Sequence, residues 1–283
     1  MSNSDGREKV TSAVCEDSDP DGVVTAEHDG PILRITIDRP HRHNALSAPM
    51  VDSFVAILTA AASDEAVRAV HIRGAGADFC SGVDLAGSTA QREHRPRTGA
   101  LLRTIPLTAH RVVELVHLLH LPVVATVRGW ATGLGCNLAL AADFTVADAA
   151  AVFWEPFLRR GFSADSGSTW LLPRLVGLAR AKRMLLLGEQ VTAGQAAAWG
   201  LIHASAPATE LDRITEELLE RLAAAPTVAY GLTKQAIAFG QHATLAQSMT
   251  QELFDVELSS RTQDFKEGVA AFAERRAPKF QGR

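Results

Sequence analysis

Three short stretches hold residue types whose spacing could do chemistry. They are Gly74-Ala-Gly-Ala-Asp-Phe-Cys-Ser-Gly-Val-Asp-Leu85, Val127-Arg-Gly-Trp-Ala-Thr-Gly-Leu-Gly-Cys-Asn-Leu138 and Phe157-Leu-Arg-Arg-Gly-Phe-Ser-Ala-Asp-Ser-Gly167. The first two are glycine-rich turns, each leading from an apolar strand toward a helix. Glycine lets the backbone approach a ligand closely, so such turns can offer N–H groups to an oxygen anion. They also read as two ordinary tight turns. The third stretch carries a lone carboxylate, Asp165, suited to proton transfer. Between Phe162 and Trp170 it would be partly withdrawn from water. Asp165-Ser-Gly-Ser168 also precedes a helical stretch, so a helix N-cap is the alternative role.

Glu155 is the second carboxylate of interest. In an extended segment it shares a face with Phe157, because side chains alternate with period two. It could reach the same site as a substitute acid, or pair with Arg159. The histidines show His41-x-His43 and His117-x-x-His120, neither with a carboxylate companion, so no metal site is expected.

The elements around these stretches follow from pattern. Val23 to Glu27 and Ile32 to Ile37 read as strands, with a turn at His28-Asp-Gly-Pro31. A helix begins near Pro49, capped by Ser47, with Met50, Phe54, Ile57 and Leu58 on one face. Arg68 to Arg73 is a buried strand. This βαβ order favours a parallel sheet with a right-handed crossover. Residues 86–103 read as a polar surface loop, with a lid as the alternative. A helix over Pro106 to His120, a strand at Pro122 to Val127, a helix at Gly133 to Ala142 and strands at Phe144 to Ala147 and Val152 to Trp154 follow. Helices are expected at Thr169 to Leu175 and Ala179 to Leu187. A capping box at Thr192-Ala-Gly-Gln195 opens another, ending at Trp199-Gly200. Sheet signals stop near His203. Beyond Glu210 the pattern is helical, with starts near Leu211, Pro226 and Leu245 and a box-like start at Asp264-Phe-Lys-Glu267.

Composition narrows the function classes. A chain of 283 residues with 47% hydrophobic content can bury a large α/β core. A net charge of −4 gives no basic excess for nucleic acid or an anionic membrane. Cys15, Cys80 and Cys136 are far apart, which fits a reducing compartment and no disulfide framework. No apolar run is long enough for a membrane helix. Residues 1–21 are polar and acidic with no signal-peptide core, and read as a disordered extension.

The three stretches, in this order, resemble the enoyl-CoA hydratase/isomerase (crotonase) family. Supporting matches are Arg39-Pro-His-Arg-His-Asn-Ala-Leu46, Val191-Thr-Ala-Gly-Gln-Ala196 with Trp199-Gly-Leu201, and Phe265-Lys-Glu-Gly-Val-Ala-Ala-Phe272. Phe157-Leu-Arg-Arg-Gly161, Asp165-Ser-Gly167, Trp170-Leu-Leu-Pro-Arg174 and Lys234-Gln-Ala-Ile237 look most like phenylacetate-pathway isomerases and related enoyl-CoA isomerases. The resemblance implies an α/β fold, a crotonase-like spiral of ββα units over residues 22–205. It also implies a C-terminal helical region, 206–283, that builds a homotrimer or a dimer of trimers.

The resemblance further implies an acyl-CoA thioester as substrate, with coenzyme A part of it and no separate cofactor. It places oxyanion donors on the amides of Ser81 and Leu134 and the isomerase acid at Asp165. Substrate contacts would come from Arg42, Ala45, Gly82, Asp84, Gly133, Phe157, Phe162 and Trp170. Lys279 and Phe280 could meet the adenine end of coenzyme A across a subunit boundary. The two glutamates that hold water in hydratases of the family fall at Asn137 and Phe157, where neither residue can take a proton. Three readings are open. One is an isomerase using Asp165, another a hydratase using Glu155 or a water held by Asn137, and the third a silent acyl-CoA-binding homologue. A cytoplasmic location is expected.

Overall fold

The computed structural model describes residues 22–84 and 97–283. The 1–21 extension, Cys15 and most of the 86–103 loop lie outside the described residues. The end of that loop region is ordered structure: α2 (Ala100–Thr104) runs into a 3-10 turn at Ile105–Leu107.

A six-stranded sheet carries the core. Its order is β1 (Val23–Asp29), β2 (Ile32–Asp38), β3 (Ala69–Gly74), β4 (Val123–Val127), β6 (Phe144–Asp148) and β9 (Ala204–Ala206). Only β1 is antiparallel, pairing with β2 through a hairpin whose Gly30 has φ 56°. The crossover from β2 to parallel β3 is made by α1 (Ala48–Ala61), as the βαβ order requires. Ser47 sits before α1 in extended backbone but makes no capping bond, and its buried Oγ has no partner among the described residues.

Period-two alternation sorts the sheet's faces. Leu33, Ile35, Ile37, Val70, Ile72, Val123, Ala125 and Val127 turn toward α1, α3 (Ala109–Leu118) and α4 (Leu134–Ala141), in the main core cluster. Ile32, Ala69 and Val124 turn the other way and meet Leu219, Leu222 and Ala223 of α7 (Ala208–Ala223). A polar strip lies on that second face. Arg34 donates to Glu216 of α7 and to Nδ1 of His71, and His71 Nε2 meets Thr126 Oγ1 at 2.8 Å. Burial holds the His71 imidazole down to about 3, so in the neutral ring Nδ1 accepts from Arg34 and the Nε2–H donates to Thr126 Oγ1.

A second, three-stranded sheet has the order β5 (Trp130–Thr132), β7 (Val152–Trp154), β8 (Gln190–Thr192). β5, β8 and β9 are absent from the pattern reading. Each is three residues long and, unlike the equally short but wholly apolar β7, includes a polar residue (Thr132; Gln190 and Thr192; Ser205) that blurs the strand signal. The two helices expected on either side of residue 177 are both present within Ser168–Leu187 (α5), separated by a kink at Gly177, whose φ 75° and ψ 165° are not helical. α6 (Ala193–Trp199) opens on the expected capping box, with both Thr192–Gln195 bonds formed. α8 (Thr227–Gly240), α9 (Leu245–Ser259) and α10 (Gln263–Glu274) complete the chain. The cap of α10 is Thr262, not Asp264. The Asp264 carboxylate instead accepts from the amides of Gln281 and Gly282 and holds the C-terminal tail. Lys279 and Phe280 are in that tail, where the Lys279 amide donates to Glu267 and the Phe280 carbonyl accepts from Arg68.

α8 is tied to the core by a buried ion pair. Lys234 Nζ lies 2.7 Å from Asp143 Oδ2 and also donates to the carbonyls of Val116 and Leu121. Both charges are largely buried. Removing the ammonium leaves Asp143 uncompensated, so Lys234→Met is expected to cost about 3 kcal/mol of stability, read from denaturant midpoints. A loss below about 1 kcal/mol would show that α8 docks without this pair.

Candidate active site

The first two glycine stretches meet because their backbones pair. Cys80 forms a parallel bridge with Ala131 of β5, the Cys80 amide donating to Trp130 and the Thr132 amide to Cys80. Thr132 pairs in turn with Trp154 of β7, and the Gly133 amide donates to the Trp154 carbonyl at 2.9 Å. The start of α4 is thereby set beside Glu155. Gly135 makes the fit possible. A Cβ there would stand 2.2 Å from the Cys80 carbonyl oxygen. A side chain at Gly82, φ 98°, would meet the Thr132 oxygen at 2.9 Å and the Leu134 nitrogen at 3.6 Å.

The amides of this corner separate into engaged and open ones. Leu134 is the first residue of α4, where helical N–H groups have no intrahelical partner. Its amide has no partner among the described residues. Ser81 is a correction: its N–H donates to the His43 carbonyl at 3.0 Å and its Oγ to the Arg42 carbonyl at 3.3 Å. The open amide of this turn belongs to Val83. Leu46 bridges Val83 by donating to Gly82 and accepting from Asp84, so the Val83 N–H points away from Leu46. That is the side on which Gly82 faces Thr132 and Leu134.

Of the residues expected to line a substrate, Phe157 stands next to Gly133, its ring 3.9 Å from where a Gly133 Cβ would be. Phe157 and Phe162 form an edge-on pair at 5.6 Å. Trp170 packs edge-on against His117 at 5.0 Å, with the Arg174 guanidinium 4.2 Å over its ring. It borders a cavity of about 460 Å³ with Pro106, His110, Val113, His117 and Ser166. Arg42 is exposed on the approach and Ala45 half-buried beside it. Asp84 differs from expectation. Its carboxylate is buried and accepts from Arg39 at 2.7 Å, an ion pair that braces the 39–46 loop. Val83 and Cys136 lie inside the two glycine stretches without being marked out there by residue type, whereas His110 lies outside all three stretches and enters the site through tertiary contacts alone. Among the described residues no cluster of ligating side chains could hold a metal ion.

The carboxylates occupy contrasting places. Asp165 is half-buried at the head of a turn, and its Oδ1 accepts from Ser166 Oγ at 2.8 Å. It is not the cap of α5; Gly167 holds that position. Glu155 is 0% exposed, and neither carboxyl oxygen has a hydrogen-bonding oxygen or nitrogen partner among the described residues. It does not pair with Arg159, whose guanidinium lies 5.8 Å over Trp154. Burial pushes the Glu155 carboxyl well above its ordinary range; the adjacent Cys136 thiol offsets part of this, and the charge of Asp165 adds to it. The Cys136 thiol is likewise raised, by burial first and Glu155 second. Asn137 is fully buried, its Nδ2 donating to Gly133 and its Oδ1 without a partner among the described residues.

A raised carboxyl contributes stability that is fully present below its unfolded value and is lost as pH rises toward its folded one. Stability is therefore expected to fall through Glu155 as pH rises above the ordinary carboxyl range, where the unfolded chain ionises and burial opposes ionisation in the fold. Glu155→Gln should flatten that part of the profile in thermal melts. Parallel curves for the two proteins would mean that Glu155 is ionised in the fold.

Comparison with known proteins agrees with this arrangement. The family model for enoyl-CoA hydratase/isomerase matches residues 27–283. A Rhodobacter capsulatus protein named "Probable enoyl-CoA hydratase" is 38% identical over 257 residues, covering 88% of this chain and 94% of that one. The 1,2-epoxyphenylacetyl-CoA isomerase of Escherichia coli is 35% identical over 254 residues, covering 89% and 95%. The crystal structure of an enoyl-CoA hydratase from Bacillus anthracis superposes with a TM-score of 0.85 at 29% identity, covering 92% of this chain and 99% of that one. With the ββα framework, the paired glycine turns and these matches together, the chain belongs to the enoyl-CoA hydratase/isomerase family and is an acyl-CoA enzyme of the crotonase fold.

Proposed function

We propose that this enzyme shifts a carbon–carbon double bond in an enoyl-CoA thioester, with Asp165 as the proton carrier. The thioester oxygen takes up charge as a proton leaves the allylic carbon. The open amides of Leu134 and Val83 face the corner where that oxygen would sit, each such donor being worth about 3 kcal/mol. The positive end of α4 adds to the same field. Asp165 removes the proton, the pair of electrons moves toward the thioester, and the same carboxyl returns the proton at the other allylic carbon. No water is consumed.

The single observation behind this reading is the placement of Asp165. It is the half-buried carboxyl of the third stretch, while Asn137 and Phe157 stand at the positions for a water-holding pair of glutamates. The relative named as an isomerase supports the same direction. A hydratase using Glu155 is less well supported, because that carboxyl is sealed from solvent and burial disfavours its charged form. Asp165→Asn is expected to lower kcat for 3-enoyl-CoA isomerisation by about 10²- to 10⁴-fold. Binding of the CoA ester, followed by calorimetry, should persist. Turnover near the wild-type rate would overturn the assignment.

The 206–283 region is proposed to join copies of the chain as a trimer or a dimer of trimers. α9 has no buried residue, and Leu245, Met249, Leu253, Phe254 and Val256 are all exposed on it. On α10, Phe272 is 87% exposed. Light scattering should give a multiple of three chains, and Phe254→Glu with Phe272→Glu should reduce it. A monomeric wild type would exclude this.

A further inference from the structure

The turn that carries Asp165 is held by a residue from a distant part of the chain. Ser166 has φ 53°, a left-handed backbone unusual for a residue with a side chain, and Gly167 follows with φ 83°. Such a conformation persists when its surroundings over-determine it. Ser166 is 1% exposed, so its polar groups need partners inside the protein. Its Oγ donates to Asp165 Oδ1 at 2.8 Å, and its amide donates to His110 Nε2 at 3.3 Å. α3, which carries His110, is anchored in the core by Val112, Val113 and Val116. Val113 also borders the turn, its Cγ1 3.6 Å from where a Gly167 Cβ would be.

We infer that His110 is a positioning residue for Asp165, acting through the Ser166 amide. The reasoning is geometric. Ser166 is tied at one end to the carboxylate and at the other to a helix that cannot shift without disturbing the core. With Oδ1 engaged by the Ser166 hydroxyl, Oδ2 is the oxygen left to carry the proton. Nε2 can accept only with its lone pair free, so the imidazole is neutral with its hydrogen on Nδ1. A ring with hydrogen on Nε2 would face the amide donor to donor and release the turn. Substrate need not touch His110 for this. The ring also borders the cavity lined by Trp170, as do Ser166 and Gly167, so the turn and the cavity wall share this residue. The inference rests on the reading of Asp165 as the proton carrier.

Two independent measurements test it. In steady-state isomerisation of a 3-enoyl-CoA, His110→Leu removes the acceptor and keeps the bulk. It should lower kcat by about 100-fold, the size of a misplaced reacting group. KM should change by less than about threefold, since ester binding is untouched. His110→Gln places an amide oxygen near the Nε2 position and should recover most of the lost kcat. Wild-type kcat in His110→Leu, or equal loss in both variants, would overturn the inference. Long-range ¹H–¹⁵N spectra of the wild-type protein give the second measurement. They should show His110 as the Nδ1–H tautomer, and an Nε2–H tautomer would overturn the inference whatever the variants do. Asp165→Asn, assayed alongside, separates the two readings. Activity there removes the proton-carrier assignment, whereas an inactive Asp165→Asn with a fully active His110→Leu removes only the role of His110.

Discussion

The close approach of the first turn of α4 to the Cys80 carbonyl is the contact on which the site depends. It needs a residue without Cβ at position 135, because any side chain would overlap the Cys80 backbone. Once that approach is made, Cys80 can pair with Ala131 and β5 with β7. The pairing runs from the 80–83 turn through β5 to Glu155 with no side chain bridging it. Backbone pairing has a fixed repeat. It therefore sets the separation of the two amide donors more rigidly than side-chain contacts would. Glycines at 82 and 133 then keep the corner open on the ligand side.

Against this rigid backbone, the two carboxyls are differentiated by their surroundings alone. Glu155 lies behind the corner, between β7 and α4, where neither carboxyl oxygen has an oxygen or nitrogen partner among the described residues. Burial disfavours its charged form and that of the adjacent Cys136 thiol. Asp165 lies on a half-open turn, where its Oδ1 accepts from Ser166 Oγ. The pair thus divides into one carboxyl closed off from solvent and one partly open to it. Phe157 and Asn137 add no proton carrier between them. Phe157 and the fully buried Asn137 close that side of the corner to solvent.

The rest of the chain keeps this corner stationary. The main sheet is covered on one face by α1, α3 and α4 and on the other by α7, so the strands that feed the site are buried on both sides. Lys234 and Asp143 fasten α8 where β4 begins, and Arg39 with Asp84 fastens the loop that carries Arg42 and His43. His43 in turn takes the Ser81 amide. The loop that would present substrate contacts is therefore the same one that decides which amide of the first turn is open.

Much of this was legible in the amino-acid order. The hairpin, the βαβ crossover, the capping box at Thr192 and the break near residue 177 follow from local periodicity and from glycine, proline and capping residues, which act over a few neighbours. The ordered glycine stretches with Asp165 indicated the family and its acyl-CoA substrate class. Tertiary structure decided what depends on partners far along the chain. Ser81 and Val83 are two residues apart on one turn, and only the pairing with Leu46 and His43 determines which N–H is engaged. Asp84 and Asp264 look like ligand or cap residues locally, but Arg39 and the C-terminal amides take them. Glu155 could face a ligand or an arginine by alternation, and only the fold buries it against Cys136. His110 has no motif, because its partner amide lies 56 residues away. Local order fixes which conformations a segment can adopt, whereas the engagement of a donor or a carboxyl depends on what the completed fold brings against it.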